Sequence, residues 1–402
     1  MRISTSMQFQ NQMYYLQNAN TKVDEASKQY STGLKFQQAG DDPSGMSQKI
    51  KYTADTRAYK QYTVNAGMAA DALSQSETAL ESLWETLGSI NTRLIQAVNG
   101  TMDQNSLDAL AEDIEQSQMQ IFDLMNTKNA EGEYIFSGNV SDQPCITLTS
   151  DGHYICQADG GTRSVQVSPT VTVQTTESGL NIFENVELAP AFTVTDAGGA
   201  EVGSQIDNYD DYMEFYDTWY DPTKGDLDNT VSFVVQADGT FQVLDPQGTQ
   251  IDQGELTDKG KIEYKGMVIE TGGTAGTYTT VLEHPQKGNI LNALNDMVAA
   301  LRDSSLSNEE RVEQISWGQM CVRNAMDNYD MYRGQIGARA SNIDTIIASN
   351  ESLGLIKSTA QANVTEVDAY EAVSNLMQEQ LALQVAQQTY SIVQSTRLFD
   401  YL

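Results

Sequence analysis

Basic residues are scarce in this chain: 23 lysines and arginines stand against 55 aspartates and glutamates, a formal net charge of −32. A surface of that sign repels phosphate backbones and anionic bilayers, so no nucleic-acid partner and no membrane insertion are expected. Long apolar runs are missing too; nothing approaches the roughly 18 consecutive apolar residues of a bilayer span. The start carries one early basic residue, Arg2, then Ser4, Thr5, Ser6, Gln8, Gln10 and Asn11. It has no apolar core of a cleaved secretory signal, which leaves the cytoplasm or an export route without such a signal.

Cysteine is almost absent. Cys145, Cys156 and Cys321 are too few for a disulfide scaffold and lack the CxxC spacing of zinc or redox sites. A four-residue loop at Thr149, Ser150, Asp151 and Gly152 would set Cys145 directly opposite Cys156, whereas a two-residue turn at Asp151 and Gly152 would misalign them. Whether they pair stays open. The two histidines, His153 in this hairpin and His284 before Pro285, read as solvent-exposed.

Catalytic signatures are missing as well: the chain holds no GxGxxG, P-loop, HExxH, GxSxG or EF-hand pattern. GGTAGT at 272–277 lies between two expected strands rather than before a helix, which argues against a phosphate cradle. Asp207, Asp210, Asp211, Glu214, Asp217, Asp221, Asp226 and Asp228 form an acidic cluster that calcium or acid–base chemistry could use. Tyr209, Tyr212, Phe215, Tyr216, Trp219 and Tyr220 interleave it, and the simpler reading is a small helix or loop packed by its aromatics and solvated by its carboxylates. No catalytic residue, metal site or cofactor is expected, and the chain does not read as an enzyme.

Heptad patterning fills the rest. Residues 1–32 and 355–402 contain neither Gly nor Pro. The first stretch spaces Phe9, Leu16, Val23 and Tyr30 by seven, and the last spaces Ala369, Leu376, Leu383 and Tyr390 likewise. Helix is expected from Met7 to Ser31, ended by Gly33, with a turn at Gly40, Asp41, Asp42 and Pro43 before a second helix opened by Pro43 or Ser44. That helix repeats Leu73, Leu80, Leu87 and Leu94 until Asn99 and Gly100 break it. Asp103 or Ser106 then caps a partner running to about Asn129, forming a helical hairpin.

From 132 to 288 the texture changes to alternating apolar residues with Asp-Gly pairs. Val231–Val235 and Phe241–Val243 form the best hairpin, and Val165–Val173, Lys261–Glu270 and Thr277–Leu282 read as further strands. Helix returns at Asn289 or Ile290. Ser307 or Asn308 caps the next helix, which repeats Ile315, Val322, Tyr329, Ile336 and Ile343, and a last helix is expected after Gly354. The expected class is α+β: a long antiparallel helical coiled-coil bundle from both ends with a β-rich domain between its halves. The expected divisions are a terminal helix and loop at 1–44, bundle halves at 45–136 and 288–353, the β insert at 137–287, and the C-terminal helix at 354–402. Between Ala372 and Thr396 the one charged residue is Glu379. An outer face so poor in charge suits a helix surrounded by other helices in an assembly.

MRIST at the start, YSTGLKFQQAGDDPSG at 30–45 and the terminal heptads resemble the flagellin family. NAEGEYIFSGN at 129–139, KGNILNALNDMVAAL at 287–301, GQIGARASNID at 334–344 and the stretch from Thr365 resemble its hook-filament junction branch, the hook-associated protein 3 family. The match covers 1–139 and 287–402; the insert matches nothing nameable. The resemblance implies an extracellular flagellar protein exported unfolded through the flagellar channel without a cleaved signal, with termini that fold on assembly. It implies a ring of like subunits, stacked on hook-associated protein 1 and templating flagellin. It also implies a cytoplasmic export chaperone that holds the C-terminal helix from Ala369 to Tyr401 before export. Phe9, Leu16, Val23, Tyr30, Ala369, Leu376, Leu383 and Tyr390 are the expected assembly seam, and Asp41, Asp42, Pro43 and Gly45 the family loop. The alternatives are a filament-forming flagellin paralogue, or an adhesin or enzyme acting through the insert.

Overall fold

The computed structural model describes residues 5–98, 102–225 and 228–399. Met1–Ser4, the helix break expected at Asn99 and Gly100, Asp226 and the last residues from Asp400 lie outside them. The first helix, α1 (Thr5–Thr32), ends at Gly33, which takes φ 69° and donates its N–H to the Gln29 carbonyl at 2.8 Å. This is the left-handed C-cap that a glycine adopts without steric penalty. Next come α2 (Pro43–Val98) and α3 (Gln104–Met125), the latter capped by Asp103, whose carboxylate accepts from Ser106 N. α3 stops short of the expected Asn129 because the Asn126 side chain exchanges two 3.0 Å hydrogen bonds with the backbone of Ile146.

Fourteen strands follow among the described residues, all in antiparallel pairs. They begin with β1 (Ile146–Leu148), β2 (Tyr154–Cys156), β3 (Ser164–Gln166), β4 (Thr172–Gln174), β5 (Val186–Glu187), β6 (Phe192–Thr195) and β7 (Ser204–Ile206). After α4 (Tyr209–Trp219) come β8 (Thr230–Val235), β9 (Thr240–Leu244), β10 (Gln250–Glu255), β11 (Ile262–Tyr264), β12 (Met267–Ile269), β13 (Gly276–Leu282) and β14 (Lys287–Gly288). The main sheet has the order β10-β9-β8-β13-β6, a smaller one is β11-β12-β7, and β1-β2, β3-β4 and β14-β5 are two-stranded. Two expected strands are corrected to hairpins. Val165–Val173 folds back as β3 and β4, and Lys261–Glu270 turns at Lys265 and Gly266, both at positive φ, between β11 and β12.

The chain closes with α5 (Ile290–Arg302), α6 (Asn308–Thr365) and α7 (Ala369–Phe399). Asn289 caps α5, and Ser307 with Glu310 forms a reciprocal capping box at the start of α6 (Glu310 N to Ser307 Oγ 3.2 Å, Ser307 N to Glu310 Oε2 2.8 Å). The helix start expected after Gly354 is corrected: α6 runs straight through Gly354 and breaks only at Glu366–Asp368. A Cβ at Gly354 would lie 3.7 Å from the Tyr59 Cβ, an ordinary van der Waals contact, so the position neither requires a glycine nor ends the helix.

Two compact units result. One comprises the residues up to Ala66, Val167–Thr170 and those from Thr345 on; the other comprises Gly67–Gln166 and Val171–Asp344. Their limits fall inside α2 and α6 and at the loop between β3 and β4. In the first unit α1 pairs antiparallel with α7. In the second, the heptad stripes Leu73, Leu80, Leu87 and Leu94 of α2 and Ile315, Val322, Tyr329, Ile336 and Ile343 of α6 are all buried. The main sheet of that unit has its own core, in which Phe233 meets Phe241 and Tyr264, and Phe192 meets Tyr212 of α4.

Candidate functional site

The seam begins at a backbone clasp. Where α1 ends and α6 gives way to α7, Lys35 N donates to Thr365 O at 2.8 Å, Val367 N to Gly33 O at 2.9 Å and Lys35 Nζ to Asn363 O at 2.8 Å. Asp368 caps α7 by accepting from Tyr370 N at 2.8 Å. α1 thus ends and α7 begins at one fixed point.

The loop after the clasp is held by its two aspartates. Asp41 Oδ2 accepts from Gln37 N and Gln38 N at 3.1 and 3.0 Å, and these backbone donors, Gln38 first, hold its carboxyl below the usual carboxylate range. Asp42 Oδ1 accepts from Gly45 N at 2.9 Å and caps α2, with Pro43 as the first helical residue. Phe36 is buried over this turn, and a Cβ on Gly45 would come within 2.6 Å of its ring. The DDPSG text is therefore a packed helix start, and only a residue without a side chain fits its fifth position.

Along the paired helices, Leu16 and Val23 of α1 and Leu376, Leu383 and Tyr390 of α7 are half-buried, and Ala26 and Ala372 are buried. Phe9 and Tyr390 meet with ring centroids 5.9 Å apart. Phe9 and Tyr30 are nevertheless exposed, and so is Ala369 at the first turn of α7. Ala372, Glu379 and Ala386 share the partner-facing stripe with Leu376, Leu383 and Tyr390.

A second apolar row occupies α7. Tyr370, Met377, Leu381, Val385 and Ile392 are 90%, 65%, 62%, 53% and 62% exposed. At 3.6 residues per turn they fall about 180° around the helix from the stripe that faces α1. α7 is thus apolar on two opposite faces, one covered by its own chain and one bare. α1 likewise exposes Met7, Met13, Tyr14 and Tyr15. The spacing of the bare row was readable in the sequence, but which row the chain itself covers was not.

The acidic cluster has no such arrangement. Tyr209, Tyr212, Phe215 and Tyr216 bury one face of α4, with Tyr212 Oη donating to Ala191 O at 3.1 Å and Tyr216 Oη to Glu283 O at 2.7 Å. Asp210 pairs with Arg323, and Asp221 holds Thr223 and Lys224. Among the described residues no group of three or more His, Cys, Asp or Glu is placed to hold a metal ion, and no helix is long and apolar enough to cross a membrane. His153 is exposed; His284 is also exposed, its Nδ1 2.6 Å from Tyr220 Oη.

Comparison with known proteins bears on this geometry. Residues 3–141 match the bacterial flagellin N-terminal helical region. Flagellar hook-associated protein 3 of Salmonella typhimurium is 21% identical over 402 residues, covering 100% of this chain and 99% of that protein. Among solved structures, the hook-associated protein 3 of Legionella pneumophila superposes with a TM-score of 0.59 at 18% identity, over 78% of this chain and 98% of that one. FlgL of Xanthomonas campestris gives 0.57 at 18% identity, over 76% and 98%. These relatives are structural flagellar proteins. From the DDPSG helix start to the paired terminal helices, the chain resembles the flagellin family and, over its whole length, hook-associated protein 3 within it.

Proposed function

We propose that this chain is a structural protein of the bacterial flagellum that forms the junction ring between hook and filament and templates flagellin assembly. The observation that carries this reading is the two-sided α7: one apolar face lies on α1, and the opposite face, from Tyr370 to Val385, is exposed in a single chain. Burying such a row stabilises by about 25 cal/mol per Å² of apolar surface, a gain that neighbouring subunits would supply. In this reading the exposed rows of α1 and α7 meet like subunits in a ring. The ring stacks on hook-associated protein 1 on one side and flagellin on the other. The same bare, weakly charged face of α7 is what a cytoplasmic export chaperone would cover before the chain leaves through the flagellar channel, without a cleaved signal. The seam comprises Phe9, Leu16, Val23, Tyr30, Ala369, Leu376, Leu383 and Tyr390, and the loop of Asp41, Asp42, Pro43 and Gly45 sets where α2 starts relative to it.

Immunogold labelling of intact flagella with antibody raised against the β insert separates this from the alternatives. A single band at the distal end of the hook is the expected result. Label along the whole filament would identify a flagellin paralogue, and label on the cell body a surface adhesin; either would overturn the junction assignment.

A further inference from the structure

Two of the three cysteines stand together. The β1-β2 ladder pairs Cys156 with Ile146, one residue from Cys145, and Gln157 N donates to Cys145 O at 2.7 Å. The loop is one residue longer than the four that would have put the cysteines directly opposite, because Leu148 pairs with Tyr154. Strict alternation would then point the two side chains to opposite faces. Cys145 escapes this because it lies in a bend just before β1: it is fully buried, as is Ile146, the residue that Cys156 faces across the ladder, and each thiol is the other's main electrostatic neighbour. Directly paired antiparallel residues have Cα atoms about 4.5–5.5 Å apart. One step along the strand keeps the pair within the roughly 4.4–6.8 Å that a disulfide spans.

The surroundings fix this pair. Asn126 holds Ile146 on one strand, and Asn292 of α5 holds the other, accepting from Tyr154 N at 2.8 Å and donating to Tyr154 O at 2.9 Å. Cys145 is fully buried against Gly179, where a Cβ would come within 2.2 Å of its sulfur, and beside Phe183, whose ring packs edge-on to Phe136 and Tyr329. Cys156 is half-exposed. Cys156 is therefore the thiol of the pair that solvent reaches. Cys321 takes no part, since its sulfur accepts from Ala189 N at 3.3 Å.

We propose that Cys145 and Cys156, free thiols in this structure, are a disulfide-forming pair that closes across the β1-β2 hairpin when the folded chain meets a small-molecule disulfide. The Cys156 thiolate attacks one sulfur of that disulfide and expels a small thiolate, leaving a mixed disulfide on Cys156. Cys145 then gives up its proton and attacks the Cys156 sulfur, expelling the second thiolate. Two protein thiols are oxidised and one small disulfide is reduced to two thiols. The order follows from access: Cys156 is half-exposed whereas Cys145 is fully buried, and the neighbouring Cys156 together with burial holds the Cys145 thiol up.

Full-length protein is incubated with oxidised glutathione, denatured, alkylated and cut before aspartates, which separates the two cysteines at Asp151. The expected result is that alkylation falls from three cysteines to Cys321 alone, with the peptides of Cys145 and Cys156 linked. In Cys145→Ser, Cys156 should instead retain glutathione. Wild-type protein in which both thiols stay alkylatable, or in which Cys156 keeps glutathione, would overturn the proposal. Closure in the cell rests on the flagellar reading above, and acid-trapped protein from sheared flagella should be linked while the cytoplasmic pool is not. Protein present in flagella with both thiols free defeats the disulfide; protein absent from flagella defeats the flagellar reading and leaves the glutathione result to stand by itself.

Discussion

Gly45 and Gly67 lie in the same helix and should answer an alanine in opposite ways. At Gly67 a Cβ meets nothing within 4 Å, so Gly67→Ala should stabilise by about 0.5–1 kcal/mol through helix propensity alone. At Gly45 the Cβ would strike the buried Phe36 ring and the capping Asp42 carboxylate. Overpacking of that kind costs about 1–3 kcal/mol and outweighs the propensity gain. Chemical denaturation followed by circular dichroism reads both. Equal and stabilising effects would show that Phe36 yields freely and that the loop is not packed as described.

Glu184 supplies a residue-scale test in pH. Burial raises its carboxyl above the ordinary value of 4.5, with the Asn289 amide opposing. The folded chain therefore holds this proton more tightly than the unfolded chain does. Its charged form weakens the fold above the raised pKa, and that loss is recovered as pH falls toward 4.5. Glu184→Gln should melt higher than wild type at pH 7, with the gap closing as pH drops to that value. A constant gap across the range would show that burial of the charge is not what is felt.

At the scale of elements, the two faces of α7 can be broken separately. Leu376→Asp with Leu383→Asp removes the face that meets α1, each side chain forfeiting up to about 1.5–3 kcal/mol of burial. The terminal helices should then separate, with loss of helical signal, while the β insert keeps its tryptophan fluorescence. Met377→Asp with Leu381→Asp strikes the bare face. That pair should leave helical content and the Phe9–Tyr390 contact unchanged while blocking association, measured by sedimentation and by a cysteine cross-link engineered at that contact. Association that survives the second pair of changes would remove the bare face from the account.

The elements also show what the sequence made legible. The heptads of α2 and α6, the caps at Asp103, Asn289 and Ser307 and the Asp238-Gly239 hairpin were readable because each depends on neighbours within a turn or two. Gly354 misled because a single glycine costs a long helix only about 1 kcal/mol, too little to end α6 there. The register of β1 and β2 was out of reach for a similar reason. It is set by Asn126, the C-cap of α3, and Asn292 of α5, half-buried amides on either side of the insert. The seam spacing could be read, but not that Ala372 lies buried while Ala369 stays exposed, because helix phase alone does not say which stripe a partner covers.

On the scale of the whole molecule, the chain keeps its aromatic and aliphatic core in the unit that carries the insert and leaves its terminal helices thinly covered. Such helices gain little stability alone and more from neighbours, as assembly requires. Purified monomer should accordingly be cut by protease within α1 and α7 well before the insert, and protection of both ends in dilute monomer would contradict this division of labour. The most direct measurement is made in cells lacking the protein, with flagellin in the medium and filaments on hooks scored together by electron microscopy. Bare hooks and shed flagellin are predicted, restored by wild-type protein but not by the Met377→Asp, Leu381→Asp variant; filaments attached as usual in the deletion strain would contradict the junction role.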